Sequence, residues 1–392
     1  MMPQNDKMTY WPKGEAGLYV HIPFCRHLCH YCDFAKTANY SPTLTAQYFV
    51  ALKSELTDWL ERIESDTPLK FTSVFIGGGT PSLFVQEYEN LFQLLTPHLS
   101  ADCEVTMEVN PEDISTNRLK AWRSLGVNRL SMGVQTFDRE GLAFLKRGHT
   151  AAASLKALDL IGSVFDNFNC DMIYGWPQQT QKSLDLDLRY LVDSSVPHLS
   201  LYTLTYEPRT PIGRAALRNR LTTKADDDVF ALYEIMCQLL ASHGYDHEEV
   251  SNWSKNGFSC RHNWLYWQNK PYVGIGAGAH GFLPDGGIGK RYANPRNERS
   301  YIKNPLSPAW DDERDEAAYL LERIATSLRT NKGFLIPEGY LFDKDAAFDA
   351  AMAKGAIHLN DQGHIMIAET EWFRENYWIL FIESRLQKGL AE

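Results

Sequence analysis

"GLYVHIPFCRHLCHYCDF", residues 17 to 34, joins a β-branched and aromatic run to three cysteines at 25, 29 and 32. The run reads as a buried strand. Three cysteines within eight residues, with no fourth nearby, suit a metal centre that keeps one coordination place open better than a closed structural site, which takes four ligands.

Outward from this stretch, similar strand-like runs recur at 73–79, 104–111, 129–136, 167–175 and 198–204. Between them lie patterns with apolar residues at three- and four-residue spacing, such as "AQYFVALKSELTDWLERI" and "KSLDLDLRYLVDS", and Gly126 and Gly162 fall where helix C-caps belong. Strands alternating with helices predict an α/β fold with a parallel sheet, either an incomplete barrel of six units or a doubly wound sheet. Polar residues collect at the strands' C-terminal ends: the cysteines, "GGGTPS", Glu108 and Asn110, Gln135, Asp171 and Tyr174, then Glu207. In parallel α/β folds that edge carries the active site.

The 392 residues imply one large domain and a smaller one, and 44% hydrophobic residues supply a core. A net charge of −10 leaves no basic field for a phosphate backbone, so nucleic acid is not an expected partner. The first residues lack the apolar segment of a leader, and no stretch is long and apolar enough to span a membrane, so the expected location is cytoplasmic. Seven cysteines, three of them clustered, fit a reducing compartment better than a disulfide framework.

Two metals compete for the cysteines. Zinc in a Cys₃His site would use His27 or His30, yet the chain has no second CxxC pair. An iron–sulfur cube held by three thiolates leaves one iron open to a reacting ligand.

C-x₃-C-x₂-C at 25 to 32 resembles the radical S-adenosylmethionine (SAM) superfamily. The resemblance implies a partial (β/α)₆ barrel with a smaller C-terminal α+β domain. It also implies a [4Fe–4S] cluster on Cys25, Cys29 and Cys32, whose open iron takes the amino and carboxylate groups of SAM and whose reduced form yields a 5′-deoxyadenosyl radical. Gly77, Gly78, Gly79 and Thr80 match the family's glycine-rich loop. Glu108, Gln135, Arg147 and Asp171 would contact SAM, with Arg147 on its carboxylate and the acidic side chains on ribose hydroxyls. Tyr31 would lie on the adenine, and Tyr19 and Phe34 complete the cofactor-binding set.

"HIPFCRHLCHYCDF", "GGGTPS", "EVNP", "SMGVQTF", "DMIYGWPQQT" and "SLYTLTYEP" together resemble the oxygen-independent coproporphyrinogen III oxidase group, from about Gly17 to Gly333. True decarboxylases of that group carry a further cysteine where this chain has Phe34, and a longer segment ahead of the first cysteine that seats a second SAM. Both departures point to the HemW-type haem-chaperone branch, which implies haem as cargo, haem-receiving respiratory proteins as partners, some of them membrane-associated, and no true oxidase activity. Oxidative decarboxylation of a tetrapyrrole is the alternative. His262, Asn263, Tyr266 and Trp267 fit the branch's HNxxYW motif and form the candidate haem site, with His280 and the cysteines as rival ligands. "EEVSN" places Glu248 where the related pattern has Tyr. "GAGAHG" mimics GxGxxG but runs into a turn, so no dinucleotide site is expected.

The Pro- and Asn-rich passage at 291–308 suggests a division into a tail at 1–16, a barrel with extensions at 17–300 and a small domain at 301–392. In the last part, "AIHLNDQGHIMIAE" reads as two strands around a Gln-Gly turn. "EWFRENYWILFIESRL" reads as a helix that packs on the barrel, with a homodimer contact as the lesser expectation.

Overall fold

The computed structural model describes residues 16–64, 70–255, 257–283, 288–313 and 315–388, so the expected tail lies outside it but for Ala16. Six strands, β1 (Ala16–Ile22), β2 (Phe71–Gly78), β3 (Leu99–Val109), β4 (Arg129–Gln135), β5 (Phe168–Tyr174) and β6 (His198–Thr203), pair in parallel and in sequence order. Helices α1 (Pro42–Glu64), α2 (Gln86–Leu95), α3 (Thr116–Ser124), α4 (Arg139–Leu145), α5 (Ala151–Gly162) and α6 (Gln181–Asp193) connect them. Capping is local and legible: Ser115, Thr150 and Thr180 accept N–H bonds at the starts of α3, α5 and α6. Gly126 takes the left-handed φ of +102° after α3, whereas Gly162 remains within α5 and Ser163 ends that helix.

The chain continues through α7 (Pro211–Leu217), α8 (Asp226–Ser242), β7 (Asp246–Glu249), β8 (Asn252–Ser254), α9 (Arg261–Trp267), β9 (Tyr272–Ile275), β10 (His280–Leu283), β11 (Lys290–Ala293), α10 (Glu298–Lys303) and β12 (Trp310–Glu313). All twelve strands form one sheet, ordered β12-β11-β10-β9-β1-β2-β3-β4-β5-β6-β8-β7. Because β9 takes the free edge of β1 and β8 that of β6, the barrel stays open, as expected.

Strand parity decides what each face does, since successive side chains point to opposite sides. Leu18, Val20 and Ile22, Val105, Met107 and Val109, and Leu130, Met132 and Val134 join the main hydrophobic core under the helices. The alternate residues, among them Ser73, Glu104, Thr106, Arg129, Ser131, Asn169, His198 and Ser200, are also buried, but polar. They line the other face, where Asn169 bonds to Ser131, Ser200 and His198, and Ser73 bonds to His262.

A second core forms from α11 (Glu316–Leu328), β13 (Tyr340–Phe342), α12 (Ala346–Ala353), β14 (Ile357–Leu359), β15 (Ile365–Ile367), α13 (Glu375–Glu383) and β16 (Leu386–Lys388). Position 301, the expected division, falls within α10, whose Tyr301 is fully buried in the first core, and β12 still belongs to the large sheet. The second core starts only with α11. The expected final helix is divided too: a 3-10 turn at Glu369–Arg374 precedes α13, with Trp372 packed on His247 and Phe373 on Phe230 and Tyr233 of α8.

"GAGAHG" is a turn, gripped by the buried Glu55 of α1. That carboxyl accepts bonds from Gly276 N (2.8 Å), Asn294 Nδ2 (2.7 Å) and Tyr301 Oη (2.5 Å), so the motif is consumed by the fold.

Candidate functional site

Beyond β1 the chain leaves the sheet as an irregular loop, closed on itself where Cys25 N donates to Thr37 O (2.9 Å) and Thr37 N to Pro23 O (2.7 Å). This loop brings Cys25, Cys29 and Cys32 to the mouth of a cavity of about 580 Å³ at the C-terminal ends of the barrel strands. Tyr31, Phe34, Gly78, Gly79, Thr80, Glu108, Gln135, Arg147 and Asp171 line the same cavity. Tyr19 and Gly77, expected in this set, do not: Tyr19 Oη bonds to His21 Nδ1 (2.9 Å), and its ring stacks on Phe75.

Arg147 is the hub. Lys146 ends α4 in the left-handed region (φ 57°), and this turn aims Arg147 back into the cavity. Its Nη1 lies 3.5 Å from Cys29 Sγ, and its Nη2 donates to Asn110 Oδ1 (2.5 Å) and Gly133 O (2.6 Å). Its Nε is buried without a partner among the protein atoms.

The carboxyls sit deeper. Burial, and then the neighbouring Asp171, push Glu108 up to about 8, against the bond its Oε2 accepts from Gly78 N (2.9 Å). Burial also raises Asp171, although its oxygens accept bonds from Ser131 Oγ (3.0 Å) and Asn169 Nδ2 (2.7 Å). Gln135 ends β4 with φ 72°, at an irregularity in the β4–β5 register; such a strained non-glycine residue is a feature of functional sites. The glycine-rich loop is demanded by the protein's own packing: Gly78 has φ +113°, and a Cβ there would meet the His21 ring at 2.5 Å.

Several contributors were not visible in the sequence. Ser131 reaches the cavity from the polar face of β4, and Lys36 Nζ donates to the Cys32 carbonyl. At the rim, Asp33 takes a bidentate bond from Arg209 (2.7 and 3.2 Å), its carbonyl accepts from Arg296, and the adjacent Phe34 is 62% exposed. Only the run of polar residues at strand ends hinted at such a rim.

Do these residues fit a cluster and SAM? Among the described residues, no three His, Cys, Asp or Glu side chains converge as a single metal ion requires. Three thiols spread around one opening, with Arg147 and Lys36 close by as counter-charge, suit a polynuclear cluster that takes each thiolate at a different corner. Beside them, two carboxyls and a buried guanidinium N–H without a partner match a zwitterionic amino acid that carries a ribose.

The candidate haem motif is elsewhere. His262, on α9, is 1% exposed; its Nδ1 pairs with Ser73 Oγ (2.7 Å) and its Nε2 with Tyr266 Oη (2.8 Å). Burial, and then Arg129, lower it to about 3, so the ring is neutral. Both nitrogens are spent within the fold, and none of His262, Asn263, Tyr266 and Trp267 lines the cavity. The expected axial-ligand role is therefore not met by this geometry. Glu248 is likewise buried away from the cavity, accepting from Ser254 Oγ (2.6 Å) and Ser259 Oγ.

An open parallel barrel with three cysteines at its mouth defines a class. A family model for the radical SAM superfamily matches residues 19–191. "Heme chaperone HemW" of Lactococcus lactis is 35% identical over 81% of this chain and 82% of its own length, and that of Bacillus subtilis 32% over 89% and 96%. The chain belongs to this HemW family within the radical SAM superfamily. Coproporphyrinogen III oxidase (HemN) of Escherichia coli superposes with a TM-score of 0.76 over 96% of this chain and 92% of its own, at 20% identity, which establishes the shared fold.

Proposed function

We propose that the protein is a haem chaperone that holds a [4Fe–4S] cluster on Cys25, Cys29 and Cys32, binds SAM in the adjoining cavity, and passes haem to haem-requiring proteins. The observation that carries this reading is the convergence of the three cysteines on one cavity mouth, in a chain whose relatives are haem chaperones. A reduced cluster would supply an electron to the SAM sulfonium.

The chain's own groups divide the work. The unpartnered Arg147 Nε–H would face the ligand's carboxylate. Gln135 and the free lone pairs of Glu108 and Asp171 would take its hydroxyl and amino protons. Tyr31, packed beside Leu145 and Trp176 at the cavity wall, would cover the adenine. With His262 spent in the fold, His280 or the cysteines would take the haem iron; His280 stands exposed at the start of β10, its ring 6.4 Å from Trp310.

The test is an anaerobic haem titration of the cluster-reconstituted protein by visible absorption, with coproporphyrinogen and SAM offered in parallel. Saturable, near-stoichiometric haem binding with coproporphyrinogen unchanged supports the chaperone. Release of carbon dioxide from the porphyrinogen, with little haem bound, would replace it with decarboxylation.

A further inference from the structure

Two sequence motifs, "EEVSN" at 248–252 within its strand pair and HNxxYW on α9, lie outside the cavity, yet a buried hydrogen-bond line connects them to its floor. Asp171 Oδ1 accepts from Asn169 Nδ2 (2.7 Å), which also reaches Ser200 Oγ (3.0 Å). Ser200 Oγ in turn donates to Asn252 Oδ1 (2.6 Å), and Asn252 Nδ2 donates to Glu249 Oε1. The Trp267 indole reaches the same Glu249 carboxyl. Asn169, Ser200, Asn252 and Glu249 are all at most 4% exposed, so water does not compete for these bonds.

The far end of the line is where the C-terminal unit docks. Glu249 forms a β-bridge with Thr330, Val250 N donates to Arg329 O (3.0 Å), and Asn331 N donates to Glu248 O (2.9 Å).

Ser200 gives the line two discrete arrangements. A hydroxyl has one proton. While Asn252 accepts it, Ser200 offers only lone pairs toward Asn169; without Asn252 the proton turns to Asp171, the residue paired with Ser200 across β5 and β6. Asp171 would then accept from Ser131, Asn169 and Ser200 together, and would have fewer lone pairs for a ligand hydroxyl.

We propose that Asn252 and Glu249 are positioning residues that keep the Ser200 proton off Asp171, and so couple the cavity's affinity for a ribose-bearing ligand to docking of the C-terminal unit. The inference rests on the reading that SAM occupies the cavity. Coupling of this kind is reciprocal, so SAM must also tighten the docked segment at Arg329–Asn331.

Equilibrium dialysis of SAM against the cluster-reconstituted full chain tests it. Asn252→Ala is expected to bind SAM about tenfold more weakly, the scale of one buried hydrogen bond. Adding Ser200→Ala to that variant is expected to restore binding to within about threefold, because the misdirected proton is then gone. Ser254→Ala, on the same strand but off the line, should bind as wild type does. Unchanged binding in Asn252→Ala, or a double variant no tighter than the single, would overturn the proposal. If Asp171→Asn also binds SAM normally, the occupancy of the cavity is at fault rather than the line.

Should Asn252→Ala fail to fold, the wild-type chain and the milder Glu249→Gln still decide the matter. SAM should slow amide exchange at Val250 and Asn331 in the wild type and do so less in the variant; equal exchange with and without SAM in the wild type contradicts the coupling.

Discussion

The cysteine cavity and the His262 cluster use the same kinds of side chain to opposite effect. At the cysteine end, Arg147 Nε and His27 Nε2 are buried without partners, Glu108 is raised to about 8, and Gln135 holds a left-handed backbone. At the α9 end, His262, Tyr266 and Ser73 spend their polar atoms on one another. A polar group left unpaired in a dry site costs free energy that a ligand can recover, whereas a satisfied one has nothing to offer. The difference separates a binding site from a structural knot, although both contain histidine among aromatics.

The comparison breaks most sharply at the cysteines. Replacing any one of Cys25, Cys29 and Cys32 with Ala should abolish cluster incorporation altogether, measured as iron and acid-labile sulfide per chain after anaerobic reconstitution. Iron and sulfide retained at the wild-type level in such a variant would remove that residue from the ligand set.

Next in size is Gly78→Ala. A Cβ would lie 2.5 Å from the His21 ring on a backbone at φ +113°, so both sterics and conformation oppose it. The expected loss is about 3 kcal/mol in urea unfolding, and a midpoint within error of wild type would mean that the loop relaxes freely.

His262→Ala sharpens the contrast from the other side. It removes two buried hydrogen bonds and leaves a cavity beside Tyr19 and Phe75, for an expected loss of about 2 to 3 kcal/mol. Haem affinity and spectrum should stay as they were. A lost Soret band in a folded variant would restore His262 as an iron ligand.

The cavity can also be probed through pH. Glu108 rises from an ordinary 4.5 to about 8 in the fold, so the folded ligand-free state binds more protons than the unfolded one between those values. Stability from this group is fully present below about 4.5 and is lost as pH rises through about 8. Glu108→Gln should flatten that part of the stability profile; an unchanged slope would assign it to other groups.

Much of this was legible in the sequence, for physical reasons. Each barrel strand is a short apolar run bounded by turn residues, and "C-x₃-C-x₂-C" is a local spacing that needs no tertiary information. The polar face of the strands was not, because Arg129, Ser131 and His198 look like ordinary strand polars until parity and neighbours are known. The rim was hidden for another reason: Asp33 meets Arg209 and Arg296 across 176 and 263 residues of chain. His262 misled because a motif shows which residues are adjacent but not whether their nitrogens are already taken.

The central claim, that the cysteine-mouthed cavity holds a cluster and SAM side by side, is tested most directly by electron paramagnetic resonance of the reconstituted, reduced protein with and without SAM. The account predicts a reduced [4Fe–4S] signal that SAM shifts, through a ligand at the open iron. A protein that takes up zinc in place of iron, or a cluster signal that SAM leaves unaltered, would contradict it.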